Sequence, residues 1–579
     1  MKYRWSIAPS QPALVAELAK QLGLSPLLAQ CLLNRGHSEP AAIAQFLEPR
    51  LRALADPFAL PNMAAAVERL FAARDRAEPL VIFGDYDVDG VTSTAILIEV
   101  LLALGWAVDF YLPHRMDEGY GLSQDGVQNC LGKFPDTKLL LAVDCGSTAV
   151  ETIGWLNQRG VAVLVLDHHQ VSDPAPAAIA LVNPQLAKQA VSRQPSAVSD
   201  FTELCSAGLA FKLAHALVKR GRELNLAEFL TFDIRPLLDL VALGTIADLV
   251  PLTGENRILV TAGLERLNTT RRPGLLALKT AAGIEGSIGT YEVGFQLGPR
   301  LNAAGRLENA AEALNLLLAS DLRTAEPIAR ALDSRNRERQ QIERTITDEV
   351  IGAIRARFDP AKDYVLVEGQ LLWHIGVVGI VASRVLREFH RPTLILGGDA
   401  AEWRGSGRSI AGFDLATALR ECDYLLVRHG GHAMAAGITV QPDNVPALRE
   451  RLNALARRTL TQEQLQPVLK LDAEVSLRDL TTDRLAELDR LAPTGQGNPA
   501  LQFCATGLRL HRPPLRMGKE QQHLKLHVTD GNDIREAVWW NVPRDYALPA
   551  RFDLAFTAEV NEFRDNRTVQ LKVSDLRAA

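Results

Sequence analysis

The sequence has 579 residues, of which 47% are hydrophobic and 23% charged, and at about 100–200 residues per domain this length predicts three to five domains. No apolar run approaches the roughly 20 residues that cross a bilayer, and the Trp and Pro near the N-terminus do not fit a signal peptide, so we expect neither a membrane nor a secreted protein. A formal net charge of −5 gives no general support to nucleic-acid binding, which would have to rely on local basic patches. Six widely spaced cysteines without a C-x-x-C pair predict free thiols in a reducing cytoplasm.

An N-terminal helical segment (1–54) precedes a domain (55–265) in which apolar strands alternate with helices. Strands that are apolar throughout and separated by helices indicate a parallel sheet covered on both faces. The predicted strands are 80–84, 108–112, 138–144, 161–167 and 178–183.

A helical region (266–358) follows and ends in one long connecting helix, 320–358. Its middle, 333–341, is polar on every side, which predicts a helix that bridges domains through solvent. A second, smaller α/β domain (359–462) has a glycine-spaced turn and helix at 373–389.

The last domain (463–579) is β-rich with a period of two, so Leu524, Leu526 and Val528 are predicted to face one side. A small oligonucleotide-binding (OB) type barrel fits this pattern. The fold class is therefore multidomain α/β with a C-terminal β-barrel.

Acidic and imidazole side chains follow three strands of the first α/β domain. Ligands of open parallel sheets bind beyond the carboxyl ends of the strands, so these groups should meet in one crevice. An apolar helix at 235–248 ends in a further acid, Asp248. The strand-end residues are Asp85, Asp87, Asp89, Asp144, Asp167, His168 and His169.

So many carboxylates raise one another's pKa unless a cation compensates them. Aspartate oxygens with a minority of imidazole nitrogens suit Mn²⁺ or Mg²⁺, and five or more ligands suggest two ions about 3.5–4 Å apart. Taken singly, each signal has an ordinary explanation. The acidic run could be a turn or a Ca²⁺-like loop, Asp144 a helix cap, the histidine pair structural, and Asp248 a cap or ion-pair residue.

Four motifs in order, GDYDVDG, AVDCG, LDHH and TIADLVPL, resemble the DHH phosphoesterase superfamily. Further segments resemble its single-strand-specific 5′-to-3′ exodeoxyribonucleases, and the resemblance covers about residues 50–579. These segments are PRLNAAGRL (299–307), WHIGVVGIVASR (373–384), GSGRS (405–409) and GGHAMAAG (430–437). The resemblance implies a DHH-associated domain at 359–462 and an OB fold in the tail.

The resemblance also implies roles for single residues. Asp144 would bridge two divalent ions, Asp85 would complete the shell of the first ion, Asp167 would orient a metal ligand, and His169 would contact the scissile phosphate. The implied metal ligands are Asp85, Asp87, Asp89, Asp144, His168 and Asp248.

Residues suited to phosphate oxygens lie in several Gly-rich loops, where guanidinium groups and backbone N–H groups bind such oxygens well. The alternative for each arginine is a surface ion pair. With the help of the resemblance, the predicted nucleic-acid contacts are Arg115, Arg300, Asn302, Arg306, His374, Ser406, Arg408, Ser409, Gly431 and His432. In the tail, Trp539 and Trp540 could stack on bases, whereas Phe552 and Phe556 are predicted to fill the barrel core.

The predicted function is a two-metal, single-stranded-DNA-specific 5′-to-3′ exonuclease that releases 5′-mononucleotides in recombination and repair. Alternatives are a DHH phosphodiesterase acting on short oligonucleotides or small nucleotides, and an inactive single-stranded-DNA-binding scaffold. The resemblance also implies a monomer that cooperates with a helicase and the single-stranded DNA-binding protein, and no phosphate-binding ATPase loop is present.

Overall fold

The computed structural model describes residues 3–114, 118–119, 121–186, 203–307, 310–399, 401–563 and 566–579. The chain forms two compact units. The parallel-sheet unit comprises residues 45–337 and 491–499, and the split unit comprises residues 1–44, 338–490 and 500–579. Among the described helices, none combines the length and the apolarity that a membrane span needs.

The parallel-sheet unit is built on five parallel strands in the order β3-β2-β4-β5-β6. The register aligns the strand ends, because Gly84 pairs with Val143 and Val143 pairs with Leu166. The acidic residues that directly follow these positions therefore lie side by side at the carboxyl ends of the three strands. The strands are β2 (Leu80–Gly84), β3 (Val108–Tyr111), β4 (Leu139–Val143), β5 (Ala162–Leu166) and β6 (Ala180–Val182).

Helices cover both faces of this sheet, and each face packs into its own apolar core. Strands β2, β4, β5 and β6 are buried along almost their whole length, which explains why their sequences are continuously apolar. The helices before the connecting helix are α4 (Met63–Asp75), α5 (Val88–Ala103), α6 (Gln124–Lys133), α7 (Val150–Gln158), α8 (Ser206–Glu223), α9 (Ala227–Thr231), α10 (Leu238–Ala247), α11 (Gly254–Asn268), α12 (Pro273–Ala281), α13 (Gly298–Leu307) and α14 (Ala311–Leu317).

The predicted long helix is α15 (Leu322–Arg355), and its last third carries an apolar stripe, with Val350 and Ile354 buried. The prediction that its polar middle crosses solvent is wrong for one face of the helix, whereas Ser334, Arg337, Glu338, Gln340 and Gln341 are exposed. Asn336 is 1% exposed and Asp333 7% exposed, and Asp333 accepts ion pairs from Arg300 and Arg337. Polar residues are buried there because they are paired, which a hydrophobic periodicity does not reveal.

The split unit contains a five-stranded sheet in the order β10-β11-β9-β8-β7, in which only β7 and β8 pair in parallel. Helix α16 packs against β8 and β9. The elements are β7 (Leu366–Leu371), α16 (Val378–Phe389), β8 (Thr393–Gly398), β9 (Trp403–Arg408), α17 (Leu415–Arg420), β10 (Leu426–His432), β11 (Ala435–Val440) and α18 (Val445–Thr459).

The C-terminal part of the split unit is a seven-stranded β-structure in which β14 pairs with both β18 and β16, as a barrel requires. The predicted inward residues Leu524, Leu526 and Val528 are at most 2% exposed, and Phe552 and Phe556 are fully buried. The elements are β12 (Val468–Leu471), β13 (Ala473–Glu474), α19 (Thr482–Leu488), β14 (Phe503–Leu510), β15 (Leu515–Met517), β16 (His523–Thr529), β17 (Ile534–Trp539), β18 (Phe552–Phe563) and β19 (Asn566–Ala578).

The N-terminal segment is not entirely helical. It begins with β1 (Arg4–Ile7), which pairs in parallel with β12, and this pairing of Arg4 with Val468, far apart in the sequence, has no local signal. The expected helices follow as α1 (Pro12–Leu22), α2 (Pro26–Asn34) and α3 (Pro40–Leu47).

Candidate metal centre

The three strand ends bring buried carboxylates together at one edge of the parallel sheet. Asp85, Asp144 and Asp167 directly follow β2, β4 and β5, and each is at most 2% exposed. Asp144 has a φ of 62°, in the left-handed region that residues other than glycine seldom adopt. Such backbone strain is typical of functional sites, where the surroundings hold the residue in place.

The turn after β2 supplies two more acids and starts α5. Asp87 caps the helix, because its Oδ1 accepts hydrogen bonds from the backbone N–H groups of Asp89 (2.9 Å) and Gly90 (3.1 Å). A Cβ atom at Gly90 would lie 2.5 Å from the Asp85 carbonyl oxygen, so only glycine fits this turn. This tight turn places Asp85 and Asp87 in one possible ligand set and Asp89 in another.

The N-terminus of α8 holds two of these carboxylates in position. The backbone N–H groups of Ser206 and Ala207 donate to Asp89 Oδ2 (2.7 Å) and Oδ1 (2.8 Å), and the Ser206 hydroxyl donates to Asp144 Oδ1 (2.9 Å). The positive end of the helix dipole favours anions at this place. Sequence reasoning missed Ser206; its place at a helix start was visible, but its partner was not.

His168 lies among the acids, as the sequence predicts. Its Nε2 is 3.5 Å from Asp144 Oδ1 and 3.5 Å from Asp248 Oδ2, and Asp248 follows the last residue of α10. In each of three sets of residues, the possible ligand atoms lie within 4.8 Å of one another. These sets are Asp85-Asp87-Asp144, Asp89-His168-Asp248 and Asp144-His168-His169.

The electrostatics of this cluster fit divalent cations. Burial and then the charges of neighbouring aspartates raise the pKa of Asp144 well above its ordinary value, and the same causes raise the pKa of Asp248 to about 9. Burial lowers the pKa of His168, which favours the neutral imidazole that ligates metals. Within the described structure, His168 Nε2 and Asp248 Oδ2 are buried without a hydrogen-bond partner. Oxygen-rich ligands of this kind suit Mn²⁺ and Mg²⁺.

Asp167 holds the ring of His169. Its Oδ1 lies 2.7 Å from His169 Nδ1, and its Oδ2 accepts from the Ser147 backbone N–H at 3.0 Å. Burial opposes a charged imidazole, but the hydrogen bond to Asp167 outweighs it and raises the pKa of His169 to about 9. The ring that Asp167 orients is thus that of the predicted phosphate contact and not that of the predicted metal ligand His168.

Two amide side chains, which sequence reasoning missed, support the histidines through the backbone. Asn183 Nδ2 donates to the carbonyl oxygen of His169 and to Ser147 Oγ, both at 2.8 Å, and Gln185 Nε2 donates to the carbonyl oxygen of His168 at 3.2 Å. Both follow β6, so their position after a strand end was a usable signal.

The predicted nucleic-acid contacts of the parallel-sheet unit have mixed outcomes. Arg300 forms an ion pair with Asp333, with 2.9 Å between Nη2 and Oδ1, and its Nη1 donates to the Gln296 carbonyl oxygen at 2.7 Å. Asn302 Oδ1 accepts from the Val88 backbone N–H at 3.2 Å and so supports the start of α5. Arg115 and the side chain of Arg306 lie outside the described residues.

In the split unit, Arg408 donates to Ser406 Oγ at 2.8 Å, and both side chains lie against Gly379 in the first turn of α16. His374 lies just before this helix, where its Nδ1 accepts from the Gly376 backbone N–H at 3.1 Å. Ser409 is 5% exposed and donates to the Phe413 carbonyl oxygen, whereas Gly431 and His432 are exposed on β10.

Three family models match the chain. These are the DHH family N-terminal domain at residues 79–245, the DHHA1 domain at residues 362–458 and the RecJ OB domain at residues 471–575. The single-stranded-DNA-specific exonuclease RecJ of Bacillus subtilis is 36% identical over 580 residues, which cover 99% of this chain and 71% of that protein.

This chain belongs to the RecJ family. A second RecJ, from Dickeya dadantii, is 36% identical over 96% of both chains. The structure of Thermus thermophilus RecJ in complex with Mn²⁺ has a TM-score of 0.84 and 30% identity, and it covers all of this chain and 80% of that one. A Mg²⁺ complex of the same RecJ matches with a TM-score of 0.79. The family assignment and the fold class predicted from the sequence are confirmed.

Proposed function

We propose that this chain is a metal-dependent exonuclease that hydrolyses single-stranded DNA from the 5′ end, releases 5′-mononucleotides and acts in DNA recombination and repair. The observation that carries the proposal is the convergence of five aspartates and two histidines at the carboxyl end of the parallel sheet. RecJ proteins that are single-stranded-DNA-specific exonucleases match over nearly the whole chain, which favours a polymeric substrate over a small nucleotide.

The geometry supports two neighbouring cation positions, with Asp144 in the first and its Oδ1 3.5 Å from His168 Nε2 of the second. Asp85 and Asp87 would hold one ion together with Asp144, and Asp89, His168 and Asp248 would hold the other. When bound, such a pair lowers the pKa of water and neutralises charge on phosphoryl oxygens. Mn²⁺ or Mg²⁺ is the proposed cofactor, in keeping with the chemistry of the ligands and with the two Thermus complexes.

His169 is the proposed contact to the scissile phosphate. With its pKa raised to about 9, the imidazole carries a proton at neutral pH while Asp167 accepts from Nδ1. A protonated ring held in this way would donate from Nε2 to a phosphoryl oxygen and so stabilise its negative charge.

A basic sheet surface in the split unit supports a role in holding the strand. Of the three cross-strand rows on β9, β11 and β10, the two outer rows carry basic side chains at both ends. The central row carries Gly437 and Gly430, which lets a sugar–phosphate backbone approach closely. We call this surface the open sheet face. Its members are Arg404, Arg428, Gly430, His432, Ala435, Gly437 and Thr439, with Ser406 and Arg408 at its border, where they contact α16.

We keep the domain division that was proposed from the sequence. The three matched family segments fall inside the proposed catalytic, DHH-associated and OB domains. Trp540 is 52% exposed on the barrel and is the aromatic of that domain that we propose for base stacking.

The proposed partners are a helicase and the single-stranded DNA-binding protein, with the enzyme acting as a monomer. A nuclease without an ATP-binding loop needs another protein to expose a single strand. Cytoplasmic localisation fits the six cysteines, all of which are buried free thiols.

The test uses the purified full-length chain with single strands labelled at either end, in the presence of Mn²⁺, Mg²⁺ or a chelator. We expect mononucleotides to be released first from the 5′ end, only with a divalent cation, and much more slowly from a duplex. Dinucleotides serve as the competing substrate. Hydrolysis of dinucleotides without degradation of longer strands would refute the proposal in favour of a small-nucleotide phosphodiesterase.

A further inference from the structure

Two aromatic side chains are stacked on each other in solvent near the metal centre. The rings of Tyr291 and Phe295 have centroids 5.0 Å apart and an interplanar angle of 28°. Their side chains are 61% and 68% exposed. Aromatic rings are among the groups that contribute most when buried, so an exposed pair of this kind calls for a ligand that covers it.

The backbone under the two rings is firmly held. A single turn, Thr290–Glu292, passes into a π-helical turn, Val293–Leu297, which continues directly as α13. Val293 and Leu297 are at most 1% exposed and pack into the main core. Helical π-turns are rare and occur frequently at functional sites, where they change the direction of side chains. The outward rings are therefore fixed on a rigid base.

This helical segment borders the metal centre at two points. A Cβ atom at Gly298 would lie 3.6 Å from Ala247 Cβ, and one at Gly294 would lie 4.0 Å from Ile246. Those residues form the last turn of α10, directly before Asp248. At its other end the segment contacts the start of α5 through Asn302. Phe295 precedes Asn302 by seven residues, about 10 Å along a helix axis.

A third exposed apolar side chain lies directly beside a proposed metal ligand. Leu249 follows Asp248, is 72% exposed and has a φ of 61°. A bulky residue in the left-handed region is uncommon and indicates a constrained position. Apolar surface is thus presented to solvent at the metal centre itself as well as on the adjoining π-turn.

We infer that Tyr291 and Phe295 form a stacking platform for a nucleobase of the single strand whose end lies at the metal centre. The inference rests on the proposed function and adds a substrate-positioning site to it. A single strand presents unstacked bases, every base has a π-face, and stacking on aromatic rings needs no particular sequence. In a duplex the bases are already stacked on their neighbours, so the platform also favours single strands.

The test measures strand binding in a chelator, so that no cleavage occurs, by fluorescence anisotropy of a strand labelled at its 3′ end. The variants Tyr291→Leu, Phe295→Leu and the double variant keep apolar bulk but remove the rings. Tyr291→Phe and Phe295→Tyr keep them. Leu230→Ala, which changes an apolar side chain that is 53% exposed elsewhere on the same unit, is the matched control.

We expect each leucine variant to bind the strand about tenfold more weakly, which corresponds to about 1.4 kcal/mol, and the aromatic exchanges and the control to bind like the wild type. With Mn²⁺ present, KM should rise while kcat is kept. The decisive comparison uses strands with single abasic positions counted from the 5′ end. The wild type should lose affinity at one or two of these positions, and the double leucine variant should lose none.

A double leucine variant that binds like the wild type, or that keeps the sensitivity to abasic positions, would overturn the platform. This outcome is separable from failure of the proposed function. If the wild type degraded no DNA with a divalent cation, the exonuclease assignment would fail whatever the leucine variants did.

Discussion

At the scale of single residues, Asp144 is the most constrained carboxylate of the cluster. It is 2% exposed, has a left-handed backbone and accepts the Ser206 hydroxyl, and its oxygen belongs to two of the three possible ligand sets. Burial and neighbouring aspartates raise its pKa, so the charged form depends on a compensating cation. Asp144 therefore favours metal binding and lowers the stability of the metal-free fold.

We expect Asp144→Asn to abolish strand cleavage with Mn²⁺ while leaving the Tm of the metal-free protein unchanged or higher, because the amide keeps the shape and is neutral without taking up a proton. Release of labelled mononucleotides and thermal unfolding measure the two effects. Asp109→Asn, on the exposed side of β3, is the control and should change neither. Wild-type cleavage by Asp144→Asn would remove this carboxylate from the reaction.

A second prediction concerns the alkaline limit of activity. His169 is protonated below about pH 9 because Asp167 accepts its hydrogen bond, and activity that needs this proton should be lost as the pH rises through that value. In Asp167→Asn the pKa should fall towards the ordinary 6.5, so at pH 8 the protonated fraction, and with it kcat, should drop by about 30-fold.

The measurement is the dependence of kcat on pH for the wild type, Asp167→Asn and His169→Ala. The alkaline limb should move to lower pH in Asp167→Asn and should be absent from the residual activity of His169→Ala. If Asp167→Asn is slower at all pH values by one constant factor, the proton on His169 is not what Asp167 controls.

At the scale of elements, strand register and helix starts build the site. The parallel register places Gly84, Val143 and Leu166 in one row, and the N-terminus of α8 donates two backbone N–H groups to Asp89. In the split unit, the register of β9, β11 and β10 produces the open sheet face in the same way. Sheets thus arrange distant residues with a regularity that loops do not provide.

The open sheet face predicts a salt dependence. In the double variant Arg404→Ala and Arg428→Ala, two exposed guanidinium groups are lost, so strand binding should weaken and the slope of log K against log salt should fall by about 1.4, at about 0.7 per phosphate contact. Binding titrations at several salt concentrations measure the slope. Lys362→Ala, which removes a cation that is 77% exposed on the same unit, should leave the slope unchanged. An unchanged slope in the double variant would place the strand elsewhere.

At the scale of the whole molecule, the metal centre opposes folding unless cations are bound. The pKa of Asp248 is raised from 3.8 to about 9, so the folded metal-free chain holds a proton that the unfolded chain releases above pH 4. Because the folded state binds more protons in this window, its stability falls as the pH rises from about 4 to about 9. A divalent cation replaces the proton and reverses the trend.

We therefore expect Mn²⁺ to raise the Tm much more at about pH 8 than at about pH 5, because protons compete for the same oxygens. Differential scanning calorimetry with Mn²⁺ or a chelator at the two pH values measures this. Asp248→Asn should reduce the pH dependence of the metal-free Tm. An equal effect of Mn²⁺ at both pH values would show that the carboxylates are already ionised in the metal-free fold.

Much of this protein follows from local sequence alone. The parallel sheet, the strand-end acids, Asp248 at a helix end and the inward residues of the barrel follow from apolar runs and short periods, because strands and helices bury faces with fixed spacing. The chemistry of the metal centre also follows from the sequence, since many carboxylates with imidazole have few stable arrangements other than around a cation.

The contacts between residues far apart in the sequence were decided only by the tertiary structure. Ser206 meets Asp89 and Asp144, the β1 strand pairs with β12, and Arg257 donates to the carbonyl oxygens of Leu491 and Ala492, so that residues 491–499 join a unit distant in sequence. Local propensity carries no information about such pairs, because their partners are set by the packing of whole elements. The same reason explains why one face of the polar middle of α15 is buried and why two aromatic rings remain exposed beside the metal centre.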